Sequence, residues 1–208
     1  HPYGISWYKD NNLYVTTQDT QSLLCYAYDG KPINSQNGVN GNYPGAIATY
    51  EPYSTGSNGV RGVVVDDING LVFVSEETFN MVFVYDINNS WENVYNITWN
   101  GGKPIGLETG YIDNKYILYI GDDNNDNIVG VTYTKSGYNV LFTTKSIKEL
   151  NHPAGITSNN GIIYVVSQKE NLILSFDGYT GEFIQIVADF DDTGYTGENL
   201  IYVPGHSC

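Results

Sequence analysis

The stretch RGVVVDDINGLVFVSEETFNMVFVYDINN, Arg61 to Asn89, holds three short apolar runs separated by two polar turns. Val63-Val64-Val65 runs into Asp66-Asp67-Ile68-Asn69-Gly70, whose Asn-Gly pair is a strong hairpin signal. Leu71-Val72-Phe73-Val74 ends in Ser75-Glu76-Glu77-Thr78, and Met81-Val82-Phe83-Val84-Tyr85 runs into Asp86. No run is long enough for a helix, and β-branched or aromatic residues fill all three. The stretch therefore predicts an antiparallel meander.

The same unit recurs on both sides. Upstream, His1-Pro2-Tyr3-Gly4-Ile5 leads to Asn12-Leu13-Tyr14-Val15 and then to Leu23-Leu24-Cys25-Tyr26-Ala27-Tyr28-Asp29-Gly30. Downstream, Lys103-Pro104-Ile105-Gly106-Leu107 opens a third copy and His152-Pro153-Ala154-Gly155-Ile156 a fourth. With Gly4, Gly62, Gly106 and Gly155 as anchors, copies start about 45 to 60 residues apart, the period of propeller blades. A fourth apolar run closes each copy: Ala46 to Tyr50, Val94 to Ile97, Val140 to Phe142 and Phe183 to Val187. Four strands per copy predict an all-β chain, a β-propeller of four-stranded antiparallel blades.

The expected layout is one propeller domain or propeller fragment over 1–208, with blades at roughly 1–58, 59–101, 102–150 and 151–197 and a partial fifth over 198–208. In that last part, Asn199-Leu200-Ile201-Tyr202-Val203 is aligned so that Tyr202-Val203 matches Tyr164-Val165, the second strand of the fourth copy. A unit cut in mid-repeat favours an arc of a larger propeller, while a four-bladed ring closed by the last strand stays open. Thr144 to Asn151 is the one segment that reads as a helical turn.

Composition narrows the function classes. Among 208 residues there are nine Lys and Arg against 23 Asp and Glu, a formal charge of −14. That balance excludes a phosphate-binding surface for nucleic acid and disfavours anionic membranes. No apolar run approaches the roughly 20 residues of a membrane span, so membrane insertion is not expected. A chain opening on His1 rather than Met reads as processed or as a fragment. Asn88-Asn89-Ser90 and Asn96-Ile97-Thr98 are sequons, which place glycans at Asn88 and Asn96 on outer parts of the second blade if the protein is extracellular. Cys25 and Cys208 leave three options: a disulfide between the first and last blades, a buried free thiol at Cys25, or a partner for Cys208 outside the chain.

Pro2-Tyr3-Gly4-Ile5, Pro104-Ile105-Gly106-Leu107 and Pro153-Ala154-Gly155-Ile156, with Tyr14-Val15, Tyr164-Val165 and Tyr202-Val203, resemble the repeats of NHL and YVTN-type β-propellers. The second copy departs, with Val60-Arg61-Gly62 in place of Pro-x-Gly. The resemblance implies extracellular scaffolds, ligand-binding ectodomains, or a few metal-dependent lyases and lactonases; fold does not choose among them.

It also implies that the loop entering the first strand and the loop between second and third strands share one face. His1, Lys103 and His152 would then meet Glu76, Glu77, Asp122, Asp123, Asp126, Glu170 and His206, a ligand set fit for zinc or calcium. His152 and His206 are the candidates for a catalytic metal site. Asp122, Asn124 and Asp126 alternate like the start of a calcium loop, but Asn127 stands where a glycine and Tyr133 where a bidentate glutamate is needed, which equally suits a solvated turn. Asp189, Asp191 and Asp192 raise the same question, and Tyr179 and Tyr195 are candidates to stack on sugars. No nucleophile elbow or phosphate loop is present. The leading expectation is a non-catalytic extracellular module that binds protein or glycan, or assembles with copies of itself, in a cell-surface or filamentous structure. A metal-dependent propeller enzyme is the alternative.

Overall fold

The computed structural model describes residues 1–8, 12–33, 44–50, 59–190 and 197–201. They form sixteen strands in four sheets, each a meander of four consecutive antiparallel strands. Blade one is β1 (Pro2–Tyr8), β2 (Asn12–Thr17), β3 (Ser22–Tyr26) and β4 (Ala46–Thr49). Blade two is β5 (Val60–Asp66), β6 (Leu71–Glu76), β7 (Met81–Asp86) and β8 (Glu92–Thr98). Blade three is β9 (Pro104–Ile112), β10 (Lys115–Asp122), β11 (Asn127–Thr134) and β12 (Gly137–Thr143). Blade four is β13 (Pro153–Asn159), β14 (Ile162–Ser167), β15 (Leu172–Asp177) and β16 (Phe183–Asp189). The fold is a β-propeller, and its strands fall on the apolar runs of the sequence.

Two compact units divide the chain: His1–Pro104 with Thr134–Gly137, and Ile105–Tyr133 with Tyr138–Cys208. In the first, Tyr14, Leu23 and Ile47 of blade one pack with Val60, Val72 and Val74 of blade two in a shared core. In the second, Ile117, Tyr119 and Phe142 of blade three pack with Ile163, Leu174 and Phe176 of blade four.

What makes one blade seat on the next is a bulge in the first strand. Pro2 pairs with Thr17 and Ile5 with Val15, so β1 carries one residue more than its partner between those pairs. The same extra residue separates Val60 from Val63 in β5 and Pro153 from Ile156 in β13. A bulge re-aims the strand and leaves one residue unpaired. Here it presses the glycine against the neighbouring blade. A Cβ on Gly4 would lie 2.8 Å from the Val63 nitrogen. Gly106, at the matching place in β9, is seated as tightly: a Cβ there would lie 1.8 Å from the Ala154 carbonyl oxygen. Blade two has the bulge and the glycine without the proline.

Hydroxyls lock the seat in the first unit. The Gly4 N–H donates to Thr16 Oγ1 at 2.9 Å, and that hydroxyl donates to the Arg61 carbonyl of blade two. The Gly62 N–H donates to Ser75 Oγ at 2.7 Å. The Val65 N–H reaches Ser6 Oγ at 3.1 Å and the Val60 N–H reaches Gln21 Oε1 at 3.2 Å, both across the blade boundary.

One expectation needs correction. Thr144 to Asn151 forms no helix, only a single turn in which the Leu150 N–H donates to the Ile147 carbonyl at 3.2 Å; the one helical element among the described residues is the 3₁₀ turn Ile87–Asn89, capped by Asp86. The Thr144 N–H donates to the Ile128 carbonyl of β11 (2.9 Å) and the Thr144 hydroxyl oxygen accepts from the Ile128 N–H (3.0 Å), which ties the start of the segment to the sheet. Tyr202 and Val203, aligned with the second strand of the fourth copy, lie outside the described residues; Asn199 and Leu200 before them are described. They lie against Gly155, where a Cβ would meet the Asn199 Cα and the Leu200 nitrogen at 2.7 Å each. That is the place the next blade's first strand takes at Gly4 and Gly106.

Candidate functional site

Blades two, three and four each end one or two strands on an aspartate, and the structure gives several of these residues a local task. Asp66 Oδ1 accepts from the Ile68 and Asn69 N–H groups at 2.9 and 3.0 Å. Asp177 Oδ1 accepts from Tyr179 and Thr180 at 2.9 and 2.7 Å, bonds that hold its carboxyl below the usual carboxylate range. Such Asx turns let a short side chain replace a missing backbone partner. Much of the acidic composition is turn-closing carboxylate.

The loop between β10 and β11 follows the same rule. Asp122 is fully buried; its Oδ1 accepts from the Asn124 N–H (3.1 Å) and its Oδ2 from Asn125 Nδ2 (2.7 Å). Asp126 turns to the next blade, where its Oδ1 accepts the His152 N–H at 2.9 Å. Asp122, Asn124 and Asp126 thus share one loop, but the two carboxylates serve different partners.

His152 sits at the entry to β13 with φ of 57° and pairs through Nδ1 with Asp123 Oδ1. Beside it, Asn151 Nδ2 donates to Glu170 Oε1 at 3.0 Å. The entry loop and the loop between second and third strands therefore do share a face, as the resemblance implied. In the first unit the counterpart is an ion-paired cluster: Arg61 holds Glu77 at 2.7 Å, Lys103 lies 3.6 Å from the other Glu77 oxygen, and the Arg61 guanidinium covers the Tyr3 ring at 5.2 Å. Glu76 is buried against Gly59, and burial raises its carboxyl above the ordinary value. The His1 amino group meets Asp19 at 2.6 Å. Among the described residues, no three His, Cys, Asp or Glu side chains converge as a metal site. His206, Asp191, Asp192, Tyr195 and Cys208 lie outside the described residues.

Cys25 is a buried free thiol beside Tyr14, and burial pushes it up to about 11, which keeps it protonated and unreactive. Asn88 and Asn96 are both exposed. Tyr179 is not the open platform expected of it: Lys115 Nζ sits 5.1 Å from its ring centre and donates to its hydroxyl at 2.8 Å. Open aromatics among the described residues include Tyr28, 78% exposed, and Tyr111, 57% exposed, whose ring lies 4.9 Å from that of Tyr116.

Sequence reading also passed over Glu108. It stands in β9 two residues after Gly106, where the other blades place Ser6, Val64 and Thr157. The Thr109 N–H donates to it at 2.8 Å and the Thr157 hydroxyl bonds to it, yet burial dominates and lifts its carboxyl to about 7. A charge in the series Ser, Val, Glu, Thr was the available signal.

No family model matches the chain, and no curated protein matches it. Solved structures do. A functionally unknown protein from Desulfotomaculum acetoxidans DSM 771 superposes with a TM-score of 0.64 at 13% identity, over 89% of this chain and 56% of that one. A protein from Lactobacillus plantarum gives 0.65 at 14% identity over 94% and 57%. The computationally designed Ika8 protein gives 0.63 at 10% identity over 98% and 53%. At these identities the likeness is one of fold, and the chain spans little more than half the length of each.

Proposed function

We propose that this protein is a non-catalytic extracellular β-propeller, related in pattern to the NHL and YVTN-type repeats, that serves as a binding or structural assembly module. Its partners are proteins or glycans, copies of itself included, in a cell-surface or filamentous structure. One observation carries the reading: the acids and the histidine on the loop face are engaged in holding turns and strand entries. Asp122 closes its own loop, Asp126 fastens the His152 backbone, and Asp123 pairs with the His152 ring. A catalytic centre needs side chains kept back for substrate or metal, and these are in use.

Elemental mass spectrometry on the purified protein, alongside His152→Ala, tests the reading. The expected result is no stoichiometric transition metal in either protein. Stoichiometric zinc that disappears in the variant would overturn it in favour of a metal-dependent enzyme.

A further inference from the structure

Between blades three and four, within the second unit, a groove of about 350 Å³ opens beside the outer strands. That volume is at the lower end of the roughly 300 to 1,000 Å³ range of small-ligand clefts. Phe176 of β15 and Phe183 of β16 form its aromatic wall. The two pair directly in the register of the sheet, so both lie on the face that packs against blade three, with their rings 5.6 Å apart and edge to face. Phe176 is fully buried in the shared core, whereas Phe183 remains 40% exposed. Ile147, packed against that core, adds an apolar contact from the segment after β12. The part of Phe183 that the two blades leave uncovered thus lines a cleft of ligand size.

The polar rims carry opposite charges on two anchored pieces of backbone. On one side, Thr143 and Lys145 flank Thr144, whose N–H and hydroxyl oxygen are bonded to Ile128 of β11 at 2.9 and 3.0 Å. Thr144 is buried and its two neighbours are exposed, and both neighbours line the groove. On the other side, Glu182 sits in the turn between β15 and β16. Its N–H donates to Thr180 Oγ1 at 3.3 Å and its carbonyl accepts the Asp177 N–H at 2.8 Å. Asp177 Oδ1 in turn accepts from both the N–H and the hydroxyl of Thr180. Among the described residues, no hydrogen bond or ion pair engages the Lys145 ammonium or the Glu182 carboxylate. Two fixed rims therefore hold their charged groups ready above an aromatic wall, an arrangement that lowers the ordering cost of binding.

We infer that this groove binds a neutral sugar, a mono- or disaccharide, with the apolar C–H face of a pyranose on Phe183 and its hydroxyls shared between Lys145 and Glu182. The inference rests on the binding role proposed above and names the ligand and its place. Lys145 only donates hydrogen bonds and Glu182 only accepts them, and sugar hydroxyls do both. An anion is repelled by Glu182 and a cation by Lys145, while a wholly apolar ligand strips water from both. An amino-acid zwitterion matches the signs but gives up the hydration of two full charges for rims that stay in water. Glu182 is the one carboxylate among the described lining residues, and glycoside hydrolysis uses a pair, so the groove holds sugar without cleaving it.

Methyl NMR titration of the protein is the test, with lactose, cellobiose, maltose and N,N′-diacetylchitobiose as probes and the dipeptide glycyl-phenylalanine as the zwitterion. The expected result is a saturable shift of the Ile147, Thr143 and Thr180 methyl signals with at least one disaccharide, while buried Ile117 stays unmoved. Lys145→Met and Glu182→Gln each remove one charged hydrogen-bonding group from the rim. Each should weaken that binding about tenfold, with an unchanged Ile117 signal as the check of the fold. No shift at Ile147 with any disaccharide overturns the inference, and so does binding of equal strength in both variants. Shifts with the dipeptide alone make the occupant a peptide and overturn it as well. Cleavage of a bound disaccharide would instead remove the non-catalytic reading and leave the groove a sugar site, so the two failures are told apart.

Discussion

Thr16 shows how much one small side chain can carry in this fold. It is fully buried, accepts the amide of the bulged Gly4 and donates to Arg61 of the next blade. Replacing it by Val keeps the volume and leaves the half-buried Gly4 N–H without its acceptor, a loss of about 1 kcal/mol. A denaturant melt of Thr16→Val should show that loss; an unchanged midpoint would remove the hydroxyl from the seat. Glu108 acts in the opposite sense. Its carboxyl titrates at about 7 when folded and at the ordinary 4.5 when unfolded, so between those values the folded chain holds a proton that the unfolded chain has released. Stability therefore declines as pH rises through that window, by at most on the order of 3 kcal/mol. Glu108→Gln should flatten the decline in thermal melts at pH 5 to 8, and an identical slope would contradict the burial argument. The sequons differ too. Asn88 Nδ2 lies over Gly70, where a Cβ would come within 2.2 Å of it, whereas Asn96 stands on β8 with its Oδ1 taking a 3.0 Å bond from Asn93. Glycopeptide mapping from a secreting host should find higher occupancy at Asn96 than at Asn88; the reverse order would count against this. Of these residues the sequence exposed the sequons, Asp122 and His152. It hid Glu108, because burial of a lone acid depends on the strand of another blade.

Strands were the most legible elements, because each apolar run is bounded by an Asx turn, an Asn-Gly pair or a glycine. Gly70 with φ of +67° closes the β5–β6 hairpin as that pair announces. The bulges were not legible as such. They follow from pairing, and only their glycines left a mark, in the repeated Gly that the second copy keeps while losing its proline. The glycines seated against a neighbouring blade make a sharp test. Gly106→Ala puts a methyl carbon 1.8 Å from a backbone carbonyl oxygen, which cannot rotate away. The first strands of blades three and four must separate, with an expected loss of about 3 kcal/mol or more. A chemical melt within about 0.5 kcal/mol of the parent would show that the seat tolerates a side chain. Thr144 to Asn151 misled for a related reason. Its composition suits a helix, but Leu150 is anchored in the core of the second unit and Thr144 is bonded to Ile128.

Taken together, the four blades combine apolar packing between sheets with an acidic surface. The charge of −14 comes with only nine basic residues, several already paired: Arg61 and Lys103 with Glu77, Lys135 with Asp86, Lys31 with Asp29. The remaining acids repel one another, so screening them should stabilise the fold. The melting temperature should rise as sodium chloride increases, and a fall would mean that the surface ion pairs outweigh the net repulsion. Repetition made the fold readable from the sequence. Function was less readable, because the same Asp, Asn and His residues suit a metal site and a turn equally well until their hydrogen bonds are known. The most direct measurement is a crystal structure of the protein grown with both zinc and calcium present. We expect His152 to keep Asp123 and Asp122 to keep Asn124 and Asn125, with no ion between them; an ion ligated by His152 or by the Asp122–Asp126 loop would contradict the scaffold reading.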